Sequence, residues 1–149
     1  AAPCRVLITG GSKGIGAALA AAFLLRGDSV CIAARSVKPL ESAATQLTNY
    51  ARGSGSICYV PCDVSDAADV EAMMQTASTK MGGIDLLICN AGSNAYSYAP
   101  LTETTPAALR EILLTNSVGT LLCCREAMAV MQKQPGGGNV FVMEGAGSD

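Results

Sequence analysis

The octapeptide Thr9-Gly10-Gly11-Ser12-Lys13-Gly14-Ile15-Gly16 restricts this chain more than any other stretch does. It follows a short apolar run, Cys4 to Ile8, and opens onto an apolar helical stripe at Ile15, Ala18, Leu19, Ala22 and Phe23. A tight turn off a strand needs residues that tolerate positive φ, which points to Gly10 and Gly11. Backbone that approaches an anion closely leaves no room for a Cβ, which points to Gly14. Tight packing of helix on strand asks for Gly16. The first helical N–H groups and the positive end of the helix dipole then face the anion. Run, turn and helix together read as the opening of a βαβ unit that holds a nucleotide pyrophosphate. No Gly-Lys-Ser/Thr follows at the distance a Walker A loop requires.

Four more strand-like runs follow: Ser29 to Ala33, Ser56 to Val60, Asp85 to Cys89, and Asn139 to Met143. They are short, apolar and bounded by turn residues, as strands buried on both faces are. Between them lie helical stripes. Leu40, Ala43, Ala44 and Leu47 repeat at helix spacing, with Pro39 in the first turn. Val70, Met73, Met74, Ala77 and Met81 do the same, with Ser65 as the cap and Asp66, Asp69 and Glu71 near the positive end of the dipole. A third helix starts at Thr105-Pro106 and runs toward Met131, with Leu109, Ile112 and Leu113 facing inward; Pro135-Gly136-Gly137-Gly138 ends that connection. Strand and helix alternate throughout. The expected fold is α/β and Rossmann-like, three αβα layers around a parallel sheet of about five strands, as one domain over residues 1–149.

The 149 residues suffice for one domain with a real core. The net charge of −2 gives no reason to expect nucleic acid as a partner. No unbroken apolar run approaches the roughly 20 residues of a bilayer span, and nothing at the start looks like a targeting segment. The seven cysteines are Cys4, Cys31, Cys58, Cys62, Cys89, Cys123 and Cys124; there is no C-x-x-C pair and no histidine. No metal site is expected, and the thiols read as small buried hydrophobes in a reducing compartment.

The second run ends Ala33-Ala34-Arg35-Ser36. Where an NAD-preferring site places an acid for the ribose hydroxyls, this chain has Ala34 and then Arg35. A guanidinium binds a 2′-phosphate through charge-assisted forks, and Lys13 adds a second cation on the same side. Together they favour NADP(H) over NAD. Asn116 falls on the stripe of Leu109, Ile112 and Leu113, where an unpaired amide would cost roughly 1–3 kcal/mol, so some partner must satisfy it.

The turn Thr9-Gly-x-x-x-Gly14-Ile15-Gly16 resembles that of the short-chain dehydrogenase/reductase family. Four further motifs follow in that family's order: Arg35-Ser36, Cys62-Asp63-Val64, Asn90-Ala91-Gly92 and Asn116-Ser117-Val118-Gly119. The resemblance implies that Gly10, Ser12, Lys13, Gly14, Ile15, Gly16, Arg35 and Ser36 bind the cofactor. It implies that Asp63 and the backbone N–H of Val64 hold the adenine, and that Asn90, Ala91 and Gly92 brace the sheet and line the cleft. Asn116 would join a proton relay through its backbone. Turn formation by Asp63 ahead of Ser65 is the alternative at that position.

Three stretches, 90–98, 122–127 and Glu144-Gly145-Ala146-Gly147-Ser148-Asp149, resemble the chlorophyll(ide) b reductases within that family. This implies NADPH-dependent reduction of the 7-formyl group of chlorophyll(ide) b to hydroxymethyl. It also implies a chloroplast location with peripheral thylakoid association, and a homo-oligomer. A catalytically silent module holding NADP or a pigment fits the same residues, as does a reductase of another carbonyl. Gly145 stands where the family carries its catalytic Ser, leaving Ser148 as a candidate, and no Tyr is followed four residues later by Lys. That pair is expected beyond Asp149, so negligible turnover is expected of these residues alone. Val140-Phe141-Val142-Met143 is expected to form an exposed apolar sheet edge that pairs with another chain.

Overall fold

The computed structural model describes residues 2–95 and 98–144. Five strands form one sheet: β1 (Arg5–Thr9), β2 (Ser29–Ala34), β3 (Ser56–Pro61), β4 (Leu86–Cys89) and β5 (Asn139–Val142). Their order is β3-β2-β1-β4-β5 and every pairing is parallel. The intervening helices are α1 (Gly14–Leu25), α2 (Val37–Leu47), α3 (Ala67–Met81), α4 (Pro106–Leu113) and α5 (Thr120–Met131). A wider π-type turn, Leu114–Gly119, joins α4 to α5.

Alternation along the strands sorts the core into two layers. Val6, Ile8, Val30, Ile32 and Ile88 face α1 and α2, where Ala20, Leu24, Leu40, Ala43, Ala44 and Leu47 meet them. Leu7, Cys31, Ala33, Leu87 and Cys89 face α3 and α5, against Val70, Met73, Met74, Ala77, Cys123, Ala127 and Met131. The fold is therefore a three-layer Rossmann-like α/β sandwich. The chain crosses from one face to the other between β3 and β4, so the strand order reverses between β1 and β4. In open α/β sheets, ligands bind beyond the carboxyl ends of the strands flanking that point.

Several helix details differ from the sequence expectation. On α1 the buried residues are Gly16, Ala20 and Leu24, whereas Ile15 is 61% exposed and Ala18 and Ala22 also face solvent. This helix is apolar on nearly every side, so periodicity could not choose its face. Contact at Gly16 chooses it: a Cβ there would collide with the Gly10 carbonyl oxygen. Gly10 does adopt positive φ (+65°) but Gly11 does not. Gly11 is needed for space instead, because a Cβ would stand 2.7 Å from Ile32 Cβ. Asp66, not Ser65, caps α3, accepting from the Asp69 N–H at 3.0 Å.

In the long helical connection, Leu109 and Leu113 are exposed and Ile112 only half-buried. The inward row is Thr115, Gly119, Cys123, Ala127 and Met131, spaced by four. Its first two members are not apolar in the usual sense, so a search for leucines misses where it begins. Gly119 lets this row close on the loop after β3, since a Cβ would meet Val64 Cγ2 at 2.8 Å. The helical run Pro106–Met131 is 26 residues long with a mean hydropathy of 1.2 over 18 residues, enough by length and composition to cross a membrane. The sequence reading of uninterrupted apolar runs passes over this helix, because Thr, Asn, Ser and charged residues divide it into shorter ones. In this fold its α5 half packs on the sheet.

All seven cysteines are free, and four of them (Cys31, Cys62, Cys89 and Cys123) are buried. No group of side chains among the described residues is arranged to hold a metal ion. Ser148 and Gly145 lie outside the described residues, as does Tyr96.

Candidate functional site

A cleft of about 490 Å3 opens beyond the carboxyl ends of β1 and β4 at the crossover. The asparagine after β4 ties the two strand ends together. Asn90 Nδ2 donates to the carbonyls of Thr9 (3.2 Å) and Gly10 (3.1 Å). In return, the buried Thr9 Oγ1 accepts from the N–H groups of Asn90 and Ala91, both at 3.1 Å. Four hydrogen bonds thus satisfy strand-end groups that no neighbouring strand could reach.

From β1 the cleft receives Gly10, Ser12, Lys13, Gly14 and Ile15. From β2 it receives Arg35 and Ser36, from the β3 loop Val64, and from β4 Asn90, Ala91 and Gly92. These sequence-predicted residues therefore come together. Ala33, Ala34, Pro39, Cys62 and Thr115 complete the wall, none of which the sequence reading assigns to the cofactor. Thr115 could have been found from its place directly before Asn116 and four residues before Gly119. Gly16 lies beneath the wall, its Cα packed toward Gly10 and Asn90, so its part is to seat α1.

Asp63 is not brought to the cleft. Its Oδ1 accepts from the N–H (3.0 Å) and the hydroxyl (2.7 Å) of Ser65, and its own N–H donates to Asp69 Oδ2 at 3.1 Å. The Asp66 N–H closes a turn on the Asp63 carbonyl at 3.0 Å, and Asp63 is taken up in that turn while Cys62 and Val64 line the cleft. The turn-forming alternative is the one the structure shows. Burial, together with Asp69, Asp63 and Asp66, pushes the Cys62 thiol up to about 12. Cys62 thus meets the cleft as a neutral thiol rather than a nucleophile.

The cradle at the end of α1 fits a dinucleotide phosphate. Gly14 has φ +56°, and a Cβ built on it meets no protein atom within 4 Å. The space beside it is open to a ligand, and any side chain would intrude there. Lys13 is the N-cap, yet no side chain caps the helix, so first-turn N–H groups remain for an anion. Lys13 and Arg35 line the same cleft.

Asn116 is exposed rather than set in an apolar stripe, but its amide has the partners its chemistry requires. Oδ1 accepts from the Ser93 N–H at 2.7 Å and Nδ2 donates to the Ser93 carbonyl at 2.8 Å. Asn116 lies inside the π-type turn, and its carbonyl accepts from Thr120 Oγ1 at 2.9 Å.

Comparison with known proteins agrees with this geometry. The model of the short chain dehydrogenase family matches residues 5–149. The chain is 50% identical over 147 residues to the chlorophyll(ide) b reductase NOL, chloroplastic, of Oryza sativa subsp. japonica, covering 99% of this chain but 43% of that protein. It thus spans less than half the length of that relative. A short-chain type dehydrogenase/reductase from Mycobacterium marinum superposes with a TM-score of 0.85 at 31% identity, over 93% of this chain and 54% of its own. An alcohol dehydrogenase from the archaeon Thermococcus sibiricus, complexed with 5-hydroxy-NADP, superposes with a TM-score of 0.81 at 28% identity, over 93% of this chain and 57% of its own. With a family match spanning nearly all its residues and a glycine-built cleft at the sheet's crossover, this chain belongs to the short chain dehydrogenases.

Proposed function

We propose that this chain binds NADP(H) and forms the cofactor-holding part of an NADPH-dependent reductase of chlorophyll(ide) b, acting in the chloroplast on the 7-formyl group. The observation that carries the cofactor reading is the uncapped α1 terminus beside the open space at Gly14, with Lys13 and Arg35 on the same cleft. Phosphates settle on the α1 amides, and Arg35 and Lys13 take the 2′-phosphate. Ser12, Ile15 and Ser36 shape the phosphate side. Val64, Asn90, Ala91 and Gly92 line the wall toward the adenine and nicotinamide.

When bound, NADPH supplies the hydride that converts an aldehyde to an alcohol. Asn116 positions the loop after β4 through Ser93, and its carbonyl is the chain's contribution to proton relay. Ser148 is the candidate for polarising the carbonyl. The choice of chlorophyll(ide) b rests on the likeness to the rice reductase, and the chloroplast location, at the stroma or thylakoid surface, rests on the same likeness. The exposed Leu109, Leu113, Leu121 and Met128 of the long helical connection support a homo-oligomer.

Calorimetric titration with NADPH tests the first half. Saturable binding that is lost in Gly14→Val is expected, and absence of binding by folded protein would overturn it. Incubating the full-length protein with chlorophyllide b and NADPH tests the second. Loss of the formyl absorption band is expected, and reduction of other aldehydes with none of the pigment would reassign the substrate.

A further inference from the structure

Arg35, the cation placed for a 2′-phosphate, already has a partner. Its Nη1 stands 3.6 Å from Oε1 of Glu111 on α4. That carboxylate is not drifting in solvent. The same Oε1 accepts from Ser93 Oγ at 2.8 Å, and the Ser93 main chain is held at two points by the Asn116 amide. Ser93 Oγ also accepts from the Ala95 N–H at 2.9 Å, inside a turn where Ala95 takes a positive φ of 49°. Glu111 therefore keeps its position whether or not Arg35 stays with it. Thr115, one helical turn further on, lines the cleft itself.

The pair is built to exchange. Its two side chains are 51% and 42% exposed, and 3.6 Å is longer than a tight charge-assisted hydrogen bond. A doubly charged phosphate near Arg35 would draw the guanidinium away from a single carboxylate. It would then lie close to that fixed negative charge.

We propose that Glu111 is a specificity-determining residue, a tethered carboxylate that competes with the cofactor's 2′-phosphate for Arg35. It lowers the preference for the phosphorylated dinucleotide below what Lys13 and Arg35 alone would produce. A nucleotide without that phosphate leaves the ion pair intact, so Glu111 acts on one cofactor form and not the other. This rests on the NADP(H) reading above.

The test is calorimetric titration of the protein with 2′,5′-ADP and with 5′-AMP, comparing wild type, Glu111→Gln and Arg35→Ala. Gln keeps an acceptor for Ser93 Oγ and removes only the charge, and a thermal melt matching wild type shows that the fold is kept. Glu111→Gln is expected to bind 2′,5′-ADP about two- to five-fold more tightly, the range a half-exposed ion pair allows, with 5′-AMP unchanged. Arg35→Ala is expected to abolish the preference for 2′,5′-ADP. If Arg35→Ala does so but Glu111→Gln leaves 2′,5′-ADP affinity unchanged or weaker, the competition is overturned and the cofactor reading stands. If wild type itself shows no preference and Arg35→Ala changes nothing, the cofactor reading falls and this inference falls with it.

Discussion

Gly14 and Gly16 sit two residues apart and answer to different constraints. At Gly16 a methyl group would meet the Gly10 carbonyl and stand 2.6 Å from Asn90 Nδ2, so Gly16→Ala forces β1, α1 and the Asn90 brace apart. The expected cost is about 1–3 kcal/mol of stability, read as a lower urea midpoint. At Gly14 nothing in the protein opposes a methyl, but φ +56° does, at about 1 kcal/mol. Gly14→Ala should therefore fold nearly as well as wild type and lose NADPH affinity by more than ten-fold, because its methyl fills ligand space. Equal losses of stability in the two variants would refute this division of labour. The glycine spacing in the sequence already pointed to Gly14 for the anion and Gly16 for the packing; the structure adds what a Cβ would meet at each position.

Strand ends and helix faces carry the next level of detail. At the far end of the sheet Arg5 clasps Asp85 by two side-chain bonds, Nε to Oδ2 at 2.8 Å and Nη2 to Oδ1 at 2.5 Å, and by its backbone N–H at 2.9 Å. The hydrogen bonds from Arg5 hold the Asp85 carboxyl below its ordinary value of 3.8. The depressed folded-state value means that this contribution is complete above about pH 4. It fades as pH falls through the lower folded value. Both side chains are about a third exposed, so solvent screening keeps the effect modest. Asp85→Asn is expected to lower Tm by about 2–4 °C at pH 7 and to flatten the stability loss below pH 4, measured by thermal melts across pH. At the sheet margin β5 pairs only with β4 among the described strands, and Phe141 is 60% exposed. A polypeptide of these 149 residues is expected to self-associate, and Phe141→Lys to reduce that, by light scattering against concentration. Strand positions were legible because two-sided burial writes itself as short apolar runs. The face of α1 was not, because a helix apolar on nearly every side offers period without direction. Helix α4 has a defined apolar face, but Leu109 and Leu113 on it are exposed, so its pattern pointed to a burial that the described residues do not provide.

Across the whole molecule, binding and folding are linked. A ligand bridging β1, β2 and β4 stabilises only the folded state, by about 2.7 kcal/mol at a hundred-fold excess over Kd. NADPH at that excess should raise the unfolding midpoint, and Arg35→Ala should remove most of the difference between NADPH and NADH. The sequence by itself determined the class of this protein: alternating buried strands and helices, a glycine-rich turn between the first strand and its helix, and motifs that follow in the order of the short chain dehydrogenases. Those are local facts, carried by runs of up to eight residues, and they survive without any knowledge of the partners. Only the tertiary structure decided that Asp63 turns to Ser65 rather than into the cleft, that Asn116 clamps Ser93, and that Glu111 reaches Arg35. Each of these joins groups through a choice between equally good hydrogen-bonding partners, and that choice is made by the distances the sheet and its crossover impose.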